Sequence, residues 1–462
     1  MCRAKLRDMS PQQRTMRCSV GPPAALCTGI TVFTAACFAL SMLNSRIAVL
    51  GAGMVGVATA LELQRLGAHV TLIDRRAPGL ETSYGNAGVI ARSSLMPFNH
   101  PDLWKSLPAL LRNNTASLRY NRAFMLRNLG WGLSYLRHTA QASFQETTTA
   151  LDALIRLSTA EHQRLLHEVG QLQRLRDNGW IFLYRSQAAF DSGQLGRETM
   201  AHFGVRTQEL DGKALSDLEP RLRPIFPKAL WIEDTYTVDS PGQVTACYAR
   251  AFVERGGRLL TRELRTIRPT QPPSGTAWEV VSEGHSETFD QVVVALGPWS
   301  KQFMATLGVK VPMAFERGYH MHYAAGSPQA GPQLQRPIYD TGGAYVLSPM
   351  EQGLRLSTGV ELNDCEAAPN PVQLSLAEAA ARQALPLGER LEETPWMGRR
   401  PTLPDCRPII GGMPDRSGMW LAFGHQHIGF STGTGTAKLL GALITGSTPP
   451  IDPRPFRAER FL

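Results

Sequence analysis

Three glycines and one aspartate have the spacing that is typical of a dinucleotide-binding unit. Gly51, Gly53 and Gly56 follow the apolar run of residues 47–50. Glycine lets the chain turn tightly off a strand, lets the backbone approach a pyrophosphate, and lets the following helix pack closely on the sheet. The unpaired N–H groups at the start of that helix would stabilise the phosphates. Asp74 lies 18 residues after Gly56, where its carboxylate can accept hydrogen bonds from a ribose hydroxyl.

Three further loops are rich in small residues, which permit close contact between backbone and ligand. The first, residues 83–88, contains Ser83 and Asn86, whose side chains can hydrogen-bond phosphate oxygens or ring edges. Next to a dinucleotide-binding unit, a loop that contacts the cofactor is favoured over an ordinary surface loop. The second loop follows an apolar strand and begins at Gly297. The third, residues 424–429, precedes a predicted helix whose N-terminus would stabilise negative charge.

The elements that must position these loops are predicted from hydrophobic periodicity. Two apolar strands, residues 47–50 and 69–74, flank a helix predicted over residues 58–66. Residues 101–176 are predicted to be helical, with leucines at helical spacing that we interpret as facing the core. In the first part of this region these leucines are Leu103, Leu107, Leu110 and Leu111. Residues 311–362 alternate between apolar and polar side chains and predict an antiparallel sheet.

The composition is that of a globular protein with an excess of basic residues. The chain has 462 residues, of which 43% are hydrophobic and 19% charged, and its formal net charge is +9. A chain of this length can bury a large core, and we expect two domains. The basic residues are scattered and form no patch interleaved with aromatic residues, so we exclude nucleic acid as a partner. We interpret the charge as a weak attraction to anionic membranes or metabolites.

The cysteines give no support for a metal site. The chain has seven cysteines, four of them before the glycine turn. The remaining three are isolated from one another, and no C-x-x-C pair or Cys/His ligand spacing occurs. We therefore predict no metal, no structural disulfide and a reducing compartment.

Three interpretations of residues 1–45, which precede the fold, stay open. Five basic residues are followed by an uncharged stretch whose apolar centre, residues 24–43, is about long enough to span a bilayer. The first interpretation is a membrane anchor or uncleaved signal, the second is a targeting segment, and the third is upstream sequence included by a wrong start codon. Met42 stands at the usual distance before a first strand, which favours the third interpretation. We expect this extension to be a disordered or hydrophobic leader.

Four motifs occur in a characteristic order along the chain. They are the glycine turn with Asp74, Ser-Tyr-Gly-Asn-Ala-Gly at residues 83–88, Trp-x-Gly-x-Arg-Pro at residues 396–401 followed by Pro-Asp, and Gly-His-x-x-x-Gly at residues 424–429. In combination they resemble the flavin-dependent amine oxidoreductases of the D-amino-acid oxidase superfamily. The nearest pattern resembles bacterial D-amino-acid dehydrogenases, with glycine oxidase close behind.

The resemblance extends over residues 46–449 and implies non-covalently bound FAD in an α/β fold (α+β overall). It implies a Rossmann-like FAD-binding domain made of residues 46–100, 225–305 and 396–450. A second domain with a mixed antiparallel sheet, the substrate or cap domain, would contain residues 101–224 and 306–395. Some relatives tether flavin through a cysteine, but no cysteine here lies in a matching context, and only Cys406 is near the motifs.

The resemblance also assigns catalytic candidates. Arg400 matches the arginine of the Gly-x-Arg-Pro motif, whose guanidinium binds the substrate carboxylate through two parallel N–H bonds. Tyr345 matches a strand tyrosine that lines the pocket, although a packed tyrosine is an open alternative, and Tyr319 is a further candidate. His427 stands where relatives carry a small residue or an arginine. It would take the amine proton, contact a substrate hydroxyl, or be a structural histidine.

The other predicted site residues contact the cofactor. They are Gly51, Ala52, Gly53, Met54, Val55, Gly56, Asp74, Arg75, Ser83, Asn86, Ala87, Gly88, Leu264, Ala295, Gly297, Gly398, His425 and Gly429. Leu264 occupies the position where backbone would meet an adenine edge.

The reaction that the resemblance implies is oxidation of a D-amino acid to an imino acid by hydride transfer to flavin N5. Hydrolysis then gives a 2-oxo acid and ammonia, and D-proline and hydroxy-D-proline are cyclic candidates for the substrate. Two alternatives stay open: an oxygen-using oxidase of glycine, sarcosine or another secondary amine, and a non-catalytic flavin subunit of a complex. The basic charge and the dehydrogenase-like pattern favour a membrane quinone as electron acceptor. They favour a location in the cytoplasm or peripherally on the inner face of the cytoplasmic membrane.

Overall fold

The computed structural model describes residues 44–270, 277–324 and 334–462. All but the last two residues of the predicted extension, residues 1–45, lie outside the described residues. The described residues form a mixed α/β fold with several sheets, so the predicted fold class is confirmed.

A six-stranded sheet carries the glycine turn at the end of one central strand. In sheet order its strands are β10 (Arg258–Thr261), β2 (His69–Asp74), β1 (Arg46–Leu50), β14 (Gln291–Val294), β22 (Met419–Phe423) and β21 (Ile409–Gly412). All neighbours are parallel except β21, which is antiparallel to β22. Ile47 and Val49 pack into one apolar cluster, and Ala48 and Leu50 pack into another. Residues 47–50 of β1 are therefore all apolar because both faces of the strand are covered there, whereas Arg46 at its start is exposed.

Four helices contribute to the cluster on the Ile47 face of this sheet, and one of them, Gln141–Glu168, is described below. The other three are α1 (Met54–Arg65), α9 (Pro241–Glu254) and α12 (Gly429–Ile444). Helix α1 follows β1 through the glycine turn and packs against α12. Both helices begin beside the carboxyl ends of the parallel strands, so their N-termini are available to a ligand bound at that edge.

A ten-stranded sheet forms the second large unit. Its strands are, in order, β4 (Leu118–Tyr120), β19 (Val360–Leu362), β15 (Ala314–Tyr323), β18 (Gly353–Thr358), β17 (Tyr345–Met350), β16 (Ile338–Asp340), β6 (Trp180–Tyr184), β8 (Lys228–Ile232) and β7 (Thr207–Asp211), with β20 (Trp396–Thr402) paired to β15. Strands β8 and β20 lie in stretches that the sequence assigned to the FAD-binding domain, yet they pair within this sheet. Strand pairing is a long-range property that local sequence does not reveal. The division of the chain into domains stays a prediction.

Two three-stranded sheets complete the strand pairing that the structure describes. One contains β11 (Leu264–Thr270), β12 (Ala277–Ser282) and β13 (His285–Phe289), and the other contains β3 (Val89–Ala91), β9 (Thr235–Val238) and β5 (Leu175–Asp177). Strand β3 directly follows the predicted cofactor loop, so its pairing with β9 fixes one end of that loop.

The remaining helices show that the predicted helical region is not buried throughout. They are α2 (Leu103–Leu111), α3 (Arg122–Arg127), α4 (Leu129–Arg137), α5 (Gln141–Glu168), α6 (Gln187–Ser192), α7 (Gln194–His202), α8 (Gly212–Leu218), α10 (Ser300–Thr306) and α11 (Val372–Ala384). Leu151, Leu154 and Leu166 of α5 are buried, as predicted. Helix α2 has no buried residue, so the prediction that its leucines face the core is wrong. Within the described ranges no helix is both long and apolar enough to cross a bilayer.

Candidate active site

A cavity of about 280 Å³ opens at the carboxyl ends of β1, β2 and β14. Ligands of open α/β sheets bind at this edge of the sheet. Thirteen of the residues predicted to contact the cofactor line this cavity: Gly51, Gly53, Met54, Val55, Asp74, Arg75, Ser83, Asn86, Leu264, Ala295, Gly297, His425 and Gly429. The cavity therefore brings together residues from every part of the predicted cofactor site.

Gly51 and Gly56 shape the turn that forms the floor of the cavity. Gly51 has a φ of +107°, and a Cβ there would lie 2.8 Å from the carbonyl carbon of Ala295. A Cβ on Gly56 would lie 2.9 Å from the carbonyl carbon of Gly51. Any larger residue at either position would push α1 away from the sheet, which explains why glycine is required here.

Asp74 connects the end of β2 to the glycine turn. Its Oδ2 accepts a hydrogen bond from the Ala52 amide at 2.6 Å, and its Oδ1 accepts one from the Arg76 amide at 3.0 Å. A carboxylate has about four acceptor positions, so two stay available toward the cavity that Asp74 lines. Ala52 therefore supports the site through its backbone instead of lining the cavity.

The loop of residues 83–88 crosses the cavity and is fixed at both ends. The Ser83 hydroxyl accepts a hydrogen bond from the Met54 amide at 3.0 Å, at the start of α1. The Asn86 amide nitrogen donates to the His427 carbonyl at 3.3 Å, and its Oδ1 accepts from the Gly88 amide at 2.8 Å. The loop thus joins the glycine turn to the turn that precedes α12.

Trp299 is a cavity residue that the sequence analysis missed. The Arg75 guanidinium lies over its ring at 4.3 Å from the centroid, and the indole N–H donates to Glu366 Oε1 at 3.0 Å. The sequence position of Trp299, directly after Gly297 and a proline, could have indicated its role, because the loop that begins at Gly297 was expected to contact a ligand. Other lining residues that were missed include Glu81, Thr82, Arg265, Pro401 and Gln426.

The turn of residues 424–429 is held by buried hydrogen bonds. The Gln426 amide donates to the Pro401 carbonyl at 2.9 Å, and His425 Nε2 lies 2.9 Å from the Thr436 hydroxyl. Burial lowers the pKa of His425 to about 3, so its imidazole is neutral at neutral pH. His425 positions the backbone of this turn and brings no charge to the cavity.

His427 projects into the cavity from the same turn. Its ring stacks on Phe98, with the centroids 4.6 Å apart, and its Nδ1 has no hydrogen-bond partner among the described residues. The pKa of His427 is lowered to about 3, mainly by burial and to a smaller extent by the nearby positive charge of Arg400. A neutral imidazole with so low a pKa is a weak proton acceptor, but it can still donate or accept a hydrogen bond.

Arg400 does not itself line the cavity, but the next residue, Pro401, does, and the charge of Arg400 is near enough to His427 to lower its pKa. Arg400 stands on one face of the paired strands β15 and β20. A Cβ on Gly318 would stand 2.7 Å from the Arg400 Cζ, so the guanidinium passes directly over that glycine. Its nitrogens make two long contacts, 3.3 Å to the Gly359 carbonyl and 3.4 Å to the Thr358 carbonyl. Arg400 is half-buried and forms no ion pair with any carboxylate of the described residues.

Glu316 is the acidic residue paired with Arg400 in the strand register. It is buried, and its Oε2 has no hydrogen-bond partner within the described ranges. Burial raises the pKa of Glu316, although Arg400 opposes that shift. Among the described residues Glu316 and Arg400 form no salt bridge, so the guanidinium keeps its hydrogen-bond donors available for an anion.

Tyr345 and Tyr319 lie on the other face of the large sheet, so their prediction as pocket residues conflicts with the structure. Both pack into the apolar cluster that includes Leu374 and Ala377 of α11, and neither lines the cavity. The Tyr319 hydroxyl donates to Glu361 Oε2 at 2.6 Å. Alternation along β15 is the physical reason, since it directs Glu316 and Gly318 to one face and Tyr319 to the other. Tyr345 shares the Tyr319 face through strand pairing.

An aromatic cluster lies on the Arg400 face and was also missed by the sequence analysis. His320 stacks on Trp396 with centroids 4.7 Å apart, and Tyr84 contacts both rings. A Cβ on Gly398 would lie 2.5 Å from Trp396 Cζ3, and one on Gly85 would lie 2.6 Å from Trp396 Cε3, with other atoms of the indole closer still in both cases. Gly398 therefore makes room for the indole instead of lining the cavity.

Three other predicted cofactor residues also stay outside the cavity wall. Gly56 packs α1 on the sheet, and Gly88 has a φ of +72° with a Cβ position 3.4 Å from the carbonyl carbon of Val238. Ala87 lies between Asn86 and Gly88 in the same loop. These residues shape the loops whose neighbours line the cavity. Within the described ranges no cysteine lines the cavity, and Cys406 is buried outside it.

The cavity fits a dinucleotide on structural grounds. The start of α1 carries no acidic residue in its first turn, so the positive end of the helix is open to phosphate. Asp74 keeps free acceptor positions for a ribose, and Gly53 leaves the backbone open. A model of the family described as "DAO: FAD dependent oxidoreductase" matches residues 46–443.

The chain belongs to the DAO family of FAD-dependent oxidoreductases. This confirms the predicted superfamily, the FAD cofactor and the class of enzyme. A D-amino-acid oxidase of Bradyrhizobium diazoefficiens is 31% identical over 425 residues, which cover 90% of this chain and 99% of that protein. A D-amino acid dehydrogenase of Dechloromonas aromatica is 28% identical over 413 residues, which cover 87% of this chain and 98% of that protein.

Solved structures of other proteins share the fold of this DAO-family chain. The crystal structure of glycine oxidase from Geobacillus kaustophilus aligns with a TM-score of 0.67 and 20% identity, over 91% of this chain and 99% of that one. L-amino acid deaminase from Proteus vulgaris aligns with a TM-score of 0.66 and 19% identity, over 90% of this chain and 94% of that one. At these identities the likeness establishes the fold alone.

Proposed function

We propose that the protein is a D-amino-acid dehydrogenase. The reaction removes two electrons and two protons from a D-amino acid to give an imino acid, and water then converts the imino acid into a 2-oxo acid and ammonia. A cyclic amino acid would give a cyclic imine. The names of the relatives from Bradyrhizobium and Dechloromonas support D-amino acids as the substrate class.

The observation that carries the proposal is the guanidinium of Arg400. It is half-buried beside the cavity, it lacks a carboxylate partner among the described residues, and its carbonyl contacts are long. A substrate carboxylate would supply two parallel charge-assisted hydrogen bonds to it. Arg400 would therefore bind and orient the substrate by its acid group, which is the main requirement of a reaction that depends on alignment.

His427 would contribute a hydrogen bond instead of acting as a base. With a pKa of about 3 its ring stays neutral at neutral pH, and its Nδ1 is free of partners in the part of the chain that the structure describes. The ring would contact the substrate amine or a side-chain hydroxyl. The amine proton would then leave to solvent before the carbon–hydrogen bond breaks.

The chemistry that FAD supplies when bound is acceptance of a hydride from the carbon that carries the amine. Gly51, Gly53 and the start of α1 would hold the pyrophosphate, and Asp74 would bind the ribose. The start of α12 at Gly429 would stabilise negative charge on the flavin ring. These roles follow from cavity lining and local geometry.

A compact substrate, with D-proline or hydroxy-D-proline as cyclic candidates, is supported by the crowding on the Arg400 face. Trp396 fills the space above Gly398 and Gly85, and His320 stacks on its other side. Large flexible side chains would have to displace this packing. We therefore expect a preference for small or cyclic D-amino acids over long charged ones.

The electron acceptor distinguishes the leading proposal from its alternative. We propose a membrane quinone, with the protein bound peripherally at the inner face of the cytoplasmic membrane. The name of the relative from Dechloromonas, a dehydrogenase, supports an acceptor other than oxygen. The oxidase named among them supports direct use of oxygen instead. An oxidase would form peroxide in an amount equal to the product.

A substrate screen with two acceptors tests the proposal. The purified holoenzyme is offered D-amino acids, their L-enantiomers, glycine and sarcosine, first with a quinone-like dye and then with oxygen alone. Reduction of the dye with D-amino acids, and little peroxide, is the expected result. Peroxide equal to product would replace the dehydrogenase proposal by the oxidase, and turnover of glycine or sarcosine alone would replace the substrate class.

A further inference from the structure

Helices α2, α3 and α4 leave large apolar side chains in solvent. The exposed fractions are 55% for Trp104, 61% for Leu111, 69% for Leu126, 55% for Leu129 and 68% for Leu133. Single exposed leucines are ordinary, but several of them on neighbouring helices mark an interaction surface. We call these three helices with the chain between them, residues 103–137, the 103–137 surface.

The exposed residues follow helical spacing. Trp104 and Leu111 are seven residues apart on α2, and Leu129 and Leu133 are four residues apart on α4; Leu126 is at the end of the adjoining helix α3. Residues at these intervals lie on one side of a helix. The Trp104 indole donates to the Thr139 hydroxyl at 2.8 Å, so the start of α2 adjoins the end of α4. The helices thus present their apolar sides from one region of the molecule.

The charged residues within the surface itself are all basic, and two aspartates outside it, Asp102 and Asp364, form ion pairs with Lys105 and Arg127. Residues 103–145 contain no aspartate or glutamate. The same stretch contains the cations Lys105, Arg112, Arg119, Arg122, Arg127 and Arg137. Three of them, Arg112, Arg122 and Arg137, are exposed and form no ion pair with any residue that the structure describes. The surface therefore carries these three exposed arginines and no acidic residue of its own.

We propose that the 103–137 surface binds a bilayer that contains anionic lipids, with its leucines and Trp104 in the interface. Helices that lie in a membrane interface combine an apolar side with lysine and arginine beside it, which is the pattern here. The inference rests on the proposed function in one respect, since a quinone acceptor gives the contact its purpose. It names the face of the molecule that would meet the membrane.

The charge pattern disfavours a second copy of the chain as the partner. A two-fold contact through this surface would place the free cations Arg112, Arg122 and Arg137 opposite like charges. An anionic lipid surface neutralises the same cations and accepts the apolar side chains. We therefore treat self-association as a result that would overturn the proposal.

Vesicle flotation of the full-length holoenzyme tests the apolar part of the surface. The vesicles contain phosphatidylcholine alone or with roughly one third phosphatidylglycerol. The variant Leu126→Ser/Leu129→Ser/Leu133→Ser should lose at least about tenfold in its partition coefficient on the anionic vesicles. These side chains are exposed, so their replacement leaves the core intact. The matched control replaces three exposed leucines elsewhere, Leu172→Ser/Leu376→Ser/Leu391→Ser, and should bind like the parent.

A second variant tests the charges. Arg112→Gln/Arg122→Gln/Arg137→Gln should lower partition on anionic vesicles by about 100-fold, since each cation near such a surface contributes about fivefold. Partition on pure phosphatidylcholine should change little. The control Arg223→Gln/Arg250→Gln/Arg268→Gln removes three exposed arginines outside the surface and should bind anionic vesicles like the parent. Equal losses in the test and control variants would contradict the proposal.

Hydrogen exchange locates the contact independently. Anionic vesicles should slow amide exchange in peptides from residues 103–137, and protection confined to other peptides would overturn the proposal. A dimer in solution that the leucine variant dissociates would also overturn it. With a soluble dye the leucine variant should oxidise substrate at the parental rate. Failure of the proposed function would give no dye reduction by any D-amino acid while vesicle binding persists, so the two failures are distinguishable.

Discussion

The guanidinium of Arg400 lies directly over Gly318, where a Cβ would stand 2.7 Å from its Cζ. The two residues belong to antiparallel neighbours, β20 and β15, in which Gly318 pairs with Gly398 and Glu316 pairs with Arg400. Because residue 318 has a hydrogen atom in place of a Cβ, the arginine side chain can occupy the space above it. This relationship makes Gly318 a determinant of where the guanidinium stands, although it touches no ligand itself.

Gly318→Ala should displace the guanidinium and raise KM by about 10- to 100-fold, because a shift of about 1 Å in a binding group weakens alignment severely. The flavin content should not change, since position 318 does not line the cofactor cavity. Steady-state kinetics and the visible absorbance of the purified protein check both expectations. Gly196→Ala in α7 has no atom within 4 Å of its Cβ and serves as the control. A parental KM in Gly318→Ala would show that Arg400 does not bind substrate from this position.

Arg400→Gln should reduce kcat/KM by about 100-fold, mainly through KM, because it removes a charged pair of hydrogen bonds to the substrate carboxylate. Arg399→Gln is the matched control, since the Arg399 side chain points elsewhere and donates to the Cys365 carbonyl and to Glu366. The control should stay within about threefold of the parent. Comparable losses of kcat/KM in Arg400→Gln and Arg399→Gln would mean that the substitutions act through folding or through the overall charge and not through substrate binding. Flavin absorbance distinguishes those cases.

Tyr345→Phe should change kcat/KM by less than about threefold, because the ring is buried on the α11 face of the large sheet and does not reach the cavity. This expectation opposes the role that the sequence resemblance gives Tyr345. Kinetics of the variant, measured beside Arg400→Gln, decide between the two. A rise in KM as large as that of Arg400→Gln would show that Tyr345 belongs to the substrate site.

The cofactor half of the site was largely predictable from sequence because its determinants are local. Gly51, Gly53 and Asp74 lie in one strand–turn–helix–strand unit, in which spacing along the chain fixes spacing in the fold. Ser83 and Asn86 follow closely enough to be placed by the same unit. Trp299 was missed, because its contact with Arg75 joins segments more than 200 residues apart.

The substrate half was harder, because it depends on which face of a strand each residue occupies. The alternation of side chains along β15 predicts that Tyr319 and Gly318 lie on opposite faces of the strand. Which of the two faces meets the cavity depends on how β15 pairs with β20 and β18. The same limit applies to α2. Its leucine spacing correctly predicts a helix with an apolar side, but only the tertiary structure shows that Leu103, Leu107 and Leu110 are no more than half-buried and that Leu111 is exposed.

Buried histidines should make the protein sensitive to mild acid. Burial lowers the pKa of His162 to about 4, although hydrogen bonds that the imidazole donates to the backbone around Phe430 oppose the shift. Burial also lowers the pKa of His425 to about 3. In the unfolded chain histidine has a pKa near 6.5. The folded state therefore binds fewer protons, and the stability that these residues contribute is complete above about pH 6.5 and is lost as the pH falls toward 4.

Because His162 stays neutral in the folded protein, the free energy of unfolding should be roughly 2 kcal/mol lower at pH 5 than at pH 7. The figure follows from about 1.4 kcal/mol per pH unit over the range in which only the unfolded chain gains the proton. Urea unfolding of the holoenzyme at both pH values measures the difference. His162→Gln should reduce that difference by about the same amount, because glutamine does not titrate. His202→Gln changes an exposed histidine and should leave the difference unchanged. An equal pH dependence in parent and His162→Gln would show that His162 is not held neutral by its burial.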